Sequence, residues 1–108
     1  MTVKELSDAL SLTPLCESDT SREINGCYAG DLLSWVMGRA EADNVWVTIM
    51  TSVNIVAVAM LADVSCIVVA EKAEIADDTL ERAKEKGINI YTCEKTVYQL
   101  CADISKII

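Results

Sequence analysis

Histidine and phenylalanine are absent from this chain of 108 residues, proline occurs once, and basic residues are scarce. Without histidine the chain cannot by itself assemble a Ser-His-Asp or Cys-His nucleophilic arrangement. Five cysteines stand at positions 16, 27, 66, 93 and 101. They include no CxxC pair, and there is no histidine to complete a usual zinc set, so neither a metal nor a cofactor is expected. Cys66 lies in the run Ser65-Cys66-Ile67-Val68-Val69, where a thiol acts as a small buried hydrophobe. None of the five is expected to be a dedicated nucleophile. Aromatic residues are few, and Trp35, Trp46, Tyr28 and Tyr91 are dispersed rather than interleaved with Lys and Arg. Core or interface packing accounts for them better than base stacking does.

Nine Lys and Arg face seventeen Asp and Glu, a net charge of -8. Nucleic-acid binding draws most of its affinity from clustered cations, so a nucleic-acid partner is not expected. The same charge repels an anionic membrane surface. No stretch approaches the roughly 20 apolar residues of a membrane helix. The longest weakly charged one, Asn44 to Ala62, is broken by Thr48, Thr51, Ser52 and Asn54. The N-terminal residues MTVKELSDAL carry acidic side chains and no apolar secretion core, which makes the cytoplasm the expected compartment. No GxxxxGK[ST] phosphate loop or dinucleotide fingerprint occurs; Gly26 and Gly30, four apart, reproduce neither.

Hydrophobic residues make up 52% of the chain, enough for one well-buried domain over residues 1–108, with surplus apolar surface that suits self-association. Residues 1–12 read as a helical lead-in: Thr2 and Glu5 have capping-box spacing, and Val3, Leu6 and Leu10 share a face. Leu12 to Glu17, interrupted by Pro14, suits an edge strand. Around Asn25-Gly26 a type I′ hairpin competes with a bulged strand. Asp31 is placed to cap a helix through Met37. From Asn44 onward the order is strand, helix, strand, helix, strand, helix: Asn44–Met50, Asn54–Ala62, Cys66–Ala70, Thr79–Lys86 closed by Gly87, Ile88–Tyr91, and Thr96–Ile107. Strand character competes at Ile55–Ala59 because of its β-branched residues. The apolar helix 54–62 faces either the core or a second subunit. The fold class is therefore α/β, a mostly parallel or mixed central sheet flanked by helices.

In such sheets ligands bind beyond the carboxyl ends of the strands. Thr51, Ser52 and Asn54 offer hydroxyls and an amide at a predicted helix start, where they can receive a phosphate, a carboxylate or a base edge; capping by Ser52 or Asn54 is the competing role. Thr92, Glu94, Lys95 and Thr96 make a second polar mouth with the same ambiguity. Glu71 and Glu74 disfavour an anion there unless a cation accompanies it. The carboxylates of Asp77, Asp78, Glu81 and Glu85 belong to a solvated helix face.

The stretch Tyr28 to Thr92, with Ile24-Asn25-Gly26-Cys27-Tyr28-Ala29-Gly30-Asp31-Leu32-Leu33-Ser34 and Val56 to Glu71 as its most telling parts, resembles small stand-alone members of the DRTGG-domain family. The resemblance covers about Pro14 to Ile107. It implies an α/β domain similar to the N-terminal domain of bacterial HPr kinase, usually a homodimer and without established catalysis. Relatives stand beside CBS domains in regulated pyrophosphatases, inside some phosphotransacetylases, or as short proteins encoded near signalling kinases or iron hydrogenases. The Asp-Arg and Thr-Gly-Gly elements that name the family are not retained: Thr51-Ser52 and about Ala70-Glu71-Lys72 stand in their places. The expected function is a non-catalytic regulatory or protein-interaction module beside a signalling kinase or redox enzyme such as a hydrogenase-related partner. The alternatives are an adenine-nucleotide sensor with Thr51, Ser52, Asn54 and Thr92 near the ligand, an accessory subunit docking on a larger enzyme, and a phosphoryl-transfer enzyme. The last would need a metal set and a phosphate cradle that the sequence does not show.

Overall fold

Strands and helices follow one another along the computed structural model, which describes residues 1–108: α1 (Val3–Leu10), β1 (Thr13–Cys16), β2 (Gly26–Ala29), α2 (Leu33–Arg39), β3 (Asn44–Thr48), α3 (Asn54–Ala62), β4 (Cys66–Val69), α4 (Asp77–Lys86), β5 (Ile90–Thr92) and α5 (Val97–Ser105). The five strands form one mixed sheet in the order β1-β5-β4-β3-β2. Neighbours from β2 to β5 are parallel, and β1 joins β5 antiparallel at the edge, with Thr13 opposite Thr92 and a register shift between Pro14 and Cys16. Proline lacks a ladder donor, which is why the one strand that contains it lies at an edge.

Alternation along the central strands sorts the core into two layers. Val45 and Val47 of β3 and Cys66 and Val68 of β4 pack on one face with Val3 and Leu6 of α1 and Leu100 and Ile104 of α5. Trp46, Ile67 and Val69 pack on the other with Val36 of α2, Ile55, Val56 and Ala59 of α3 and Ala83 of α4. Every residue of β3 and β4 is buried, as expected for parallel strands covered on both sides. The connections β2-α2-β3, β3-α3-β4 and β4-α4-β5 thus all run over one face. The chain then leaves β5 for the opposite face, where α5 lies beside α1.

Local chemistry explains most element ends. Thr2 caps α1, its Oγ1 accepting from the Glu5 N–H at 3.2 Å while the Glu5 carboxylate accepts from the Thr2 N–H at 3.0 Å. Gly87 ends α4 at φ 69°, where a Cβ is costly. Asn89, buried in the sheet end, ties the β1–β2 connection down: its Nδ2 donates to the carbonyls of Asp19 (2.9 Å) and Ser65 (3.1 Å), and its Oδ1 accepts from the Ser18 N–H. Arg22 spans Asp43 (2.9 Å) and Asp63 (2.8 Å), joining the same connection to the starts of β3 and β4.

Three local expectations are corrected. Asn25-Gly26 makes no hairpin, and the competing strand holds without a bulge: Gly26 opens β2, pairs in parallel with Asn44, and keeps a negative φ. Asp31 does not cap α2, whose N-cap is Leu32 without a side-chain bond; its Oδ1 accepts from the Thr48 hydroxyl (2.8 Å) and the Ile49 N–H (2.9 Å) across the strand ends. Neither Ser52 nor Asn54 caps α3, which begins after Val53 with no side-chain cap. Ile55–Ala59 is helical rather than extended. Helix α3 buries Ile55, Val56, Val58, Ala59 and Ala62 against the sheet and leaves Met60 and Leu61 outside.

Candidate functional site

A cleft of about 730 Å³ opens at the carboxyl ends of β4 and β5. Its position follows from the connections: after β4 the chain turns to the face of α4, and after β5 to the face of α5, so the two loops diverge and leave a crevice between them. No such divergence occurs after β2 or β3, whose connections stay on one face. Leu10, Leu15, Ile75 and Leu80 give the cleft apolar walls, and Lys72, Glu74, Glu94 and Lys95 form a charged rim. The volume lies in the range of small-molecule sites.

The rim is built on strained backbone. Glu71 and Lys72 take consecutive left-handed conformations at φ 60° and 57°, and Ser11 on the opposite wall does so at 52°. Side chains with a Cβ rarely adopt this region, and such residues gather at ligand clamps and switches. Backbone bonds hold the turn there: the Glu71 N–H donates to the Lys95 carbonyl at 2.8 Å and the Lys72 N–H to that of Cys93 at 3.0 Å. Those amides are consumed, so the turn is a rigid rim and not an anion cradle.

Charge at the rim is internally balanced. Lys72 Nζ stands 3.2 Å from Glu94 Oε1, an exposed pair worth little by itself. Lys95 Nζ donates to Asp103 Oδ2, and this bond, with a further one from the Gln99 amide, holds the Asp103 carboxyl below its usual range. The Cys93 thiol beside it is pushed up by burial. Chemically the cleft suits an organic molecule with an apolar body and a polar edge able to compete for the two lysines.

Of the residues singled out in the sequence, Thr92 lines this cleft, its hydroxyl donating to the Val69 carbonyl at 3.1 Å. Thr51, Ser52 and Asn54 line neither this cleft nor a second groove of about 380 Å³ between β2 and α5. The Thr51 carbonyl instead accepts from the Thr79 hydroxyl of α4 at 2.8 Å, and the Ser52 carbonyl from the Ile55 N–H. The structure thus separates three of the four residues from the crevice. Leu10, Ser11 and Leu15 were missed, because only the antiparallel pairing of β1 with β5 brings them there. No group of three or more His, Cys, Asp or Glu side chains converges as a metal site. No helix is long and apolar enough to cross a membrane.

No protein-family model matches the chain, and no curated protein does. Among solved structures the chain is similar to that of the CBS and DRTGG domains of the regulatory region of Clostridium perfringens pyrophosphatase, complexed with its activator diadenosine tetraphosphate. The TM-score is 0.77 over 95% of this chain, at 13% identity. The fold is DRTGG-like. This DRTGG-like chain spans 45% of the length of the one it matches.

Proposed function

We propose that this protein is a non-catalytic regulatory or protein-interaction module, a small cytoplasmic member of the DRTGG family that forms a homodimer and acts beside a signalling kinase or a redox enzyme. The observation that carries the interaction role is the apolar surface left on the outer layer. Leu32, Trp35 and Met37 at α2, Ile49 after β3, and Met60 and Leu61 on α3 are all exposed, with Leu61 at 74% and Trp35 at 52%. These six side chains gather around α2, α3 and the end of β3, and a partner surface would account for them. The likeness to a regulatory region supports the regulatory role by fold analogy.

A second reading, an adenine-nucleotide sensor, rests on the cleft. Leu10, Leu15, Ile75 and Leu80 offer an adenine ring apolar walls to pack against, and phosphates would draw Lys72 and Lys95 away from Glu94 and Asp103. The activator bound by the pyrophosphatase region belongs to the same ligand class. Native mass spectrometry of the full chain, titrated with AMP, ADP, ATP and diadenosine polyphosphates, tests both. The expected result is a dimer; retention of one nucleotide per chain, abolished by Lys95→Ala, establishes the sensor. A dimer indifferent to every nucleotide discards it, and a monomer at all concentrations discards the homodimer.

A further inference from the structure

The second groove holds a chemistry that the proposed function does not use. In the parallel register Cys27 of β2 stands opposite Val45, and Val45 opposite Cys66, so the three form one row across the sheet. Val45 and Cys66 both face the layer of α1 and α5. Side chains in one row share a face, which directs Cys27 toward α5. From that helix Cys101 leans onto the same layer, one turn before Ile104. Both cysteines line the groove, with Gly26, Ile104 and Ser105 around them. Cys27 and Cys101 thus meet across one groove.

Accessibility is set by topology. Strand β2 is the free edge of the sheet, so Cys27 has neighbours on one side only and remains exposed, while Cys101 is half-buried. Cys66, two strands inward and thus about 10 Å from Cys27, is wholly buried. Cys16 packs on the opposite face, and Cys93 lies at the other cleft. One pair among the five cysteines therefore shares a groove open to solvent.

We propose that Cys27 and Cys101 are a reversible disulfide site, closed by exchange with a low-molecular-weight disulfide. The more exposed Cys27 attacks first: its sulfur bonds to one sulfur of the reagent R′SSR′, and the reagent's S–S bond breaks to release R′SH, which carries away the proton. Cys101 then attacks the Cys27 sulfur of the mixed disulfide, expelling a second R′SH. Two protein thiols are oxidised, one small disulfide is reduced to two thiols, and both protons leave with the products. Burial is the main cause that pushes the Cys27 thiol up to about 12, and it raises Cys101 as well, so the exchange is slow. The bond fastens the free edge strand to the terminal helix, closes the groove and joins residues far apart in sequence, a crosslink of the strongly stabilising kind.

The test is incubation of the full chain with oxidised glutathione, followed by alkylation and a non-reducing tryptic map. Cleavage at Arg22, Arg39, Lys95 and Lys106 isolates each cysteine of the pair on its own peptide, 23–39 and 96–106. The expected product is those two peptides linked within one chain rather than between two, with a melting temperature raised by roughly 10 °C and restored by a phosphine reductant. Cys101→Ser should instead leave a persistent glutathione adduct on Cys27. In the unsubstituted protein the proposal is overturned by any of three outcomes: stable glutathione adducts without closure, a link involving Cys16, Cys66 or Cys93, or two thiols still free after Cys93 has reacted.

Discussion

Glu71 and Lys72 hold the least favourable backbone at the cleft, two successive left-handed residues without a glycine between them. Each such residue with a Cβ costs on the order of 1–2 kcal/mol, and glycine recovers this at an entropic cost of about 0.5–1 kcal/mol in the unfolded chain. Glu71→Gly and Lys72→Gly are each expected to raise the urea midpoint, by about 0.5–1 kcal/mol of stability. Glu71→Val, β-branched at the same φ, should lower it by more than that. A glycine that destabilises would mean that the side chains offset the strain, with the Lys72–Glu94 pair the first place to look. Nothing in the sequence marks the turn: Glu and Lys are ordinary helix formers, and their left-handed angles come from the bonds to the 93–95 carbonyls. Asp31 misleads for a similar reason, since an exposed carboxylate before a helix looks like a cap until Thr48 and Ile49 are found to hold it.

Helix α5 shows what an element owes to its ends. Thr96 caps it, with Oγ1 accepting from the Gln99 N–H at 3.1 Å, and Lys95 reaches forward two turns to Asp103. Because these donors hold the folded carboxyl below its ordinary 3.8, its stabilisation is complete above that value and is lost as pH falls through the lower folded one. Asp103→Asn is therefore expected to melt below the unsubstituted protein at neutral pH, with the gap narrowing steadily under about pH 4. A gap independent of pH would show that Asp103 acts through packing rather than charge. From Asn44 onward most elements were legible, the strands as apolar runs between polar turns and α4 by its period and its stop at Gly87, while α3, apolar on nearly every side, competed with a strand. The β2 region was not, since Asn25-Gly26 has the composition of a hairpin turn and only the neighbouring β3 turns it into a parallel strand.

At the scale of the whole molecule, the cleft depends on which side of the sheet each connection takes, and no residue states that. Of the three polar loops at the strand ends, the sequence offers hydroxyls and an amide in the first, disfavours an anion beside Glu71 and Glu74 in the second, and offers a mixed polar mouth in the third. The crossing of the chain from the α4 face to the α5 face opens the crevice after β4 and β5, which has Thr92 in its lining and not Thr51, Ser52 or Asn54. The outer layer carries the last expectation. Two copies of a chain with net charge -8 repel each other, so a dimer held by the apolar residues of α2 and α3 should tighten as salt screens the charge. Trp35 and Leu61 are exposed in the single chain, so replacing either by Glu should leave the melting temperature of the isolated unit nearly unchanged. If that layer is the dimer seam, each substitution puts a charge into it and raises the dimer Kd at least about tenfold, a cost of roughly 1.4 kcal/mol or more. Sedimentation across a concentration series, at low and high salt, reads both effects. A Kd that ignores Trp35→Glu and Leu61→Glu would move the seam off this layer. A dimer that loosens with salt would show that complementary charges, not this apolar face, hold it.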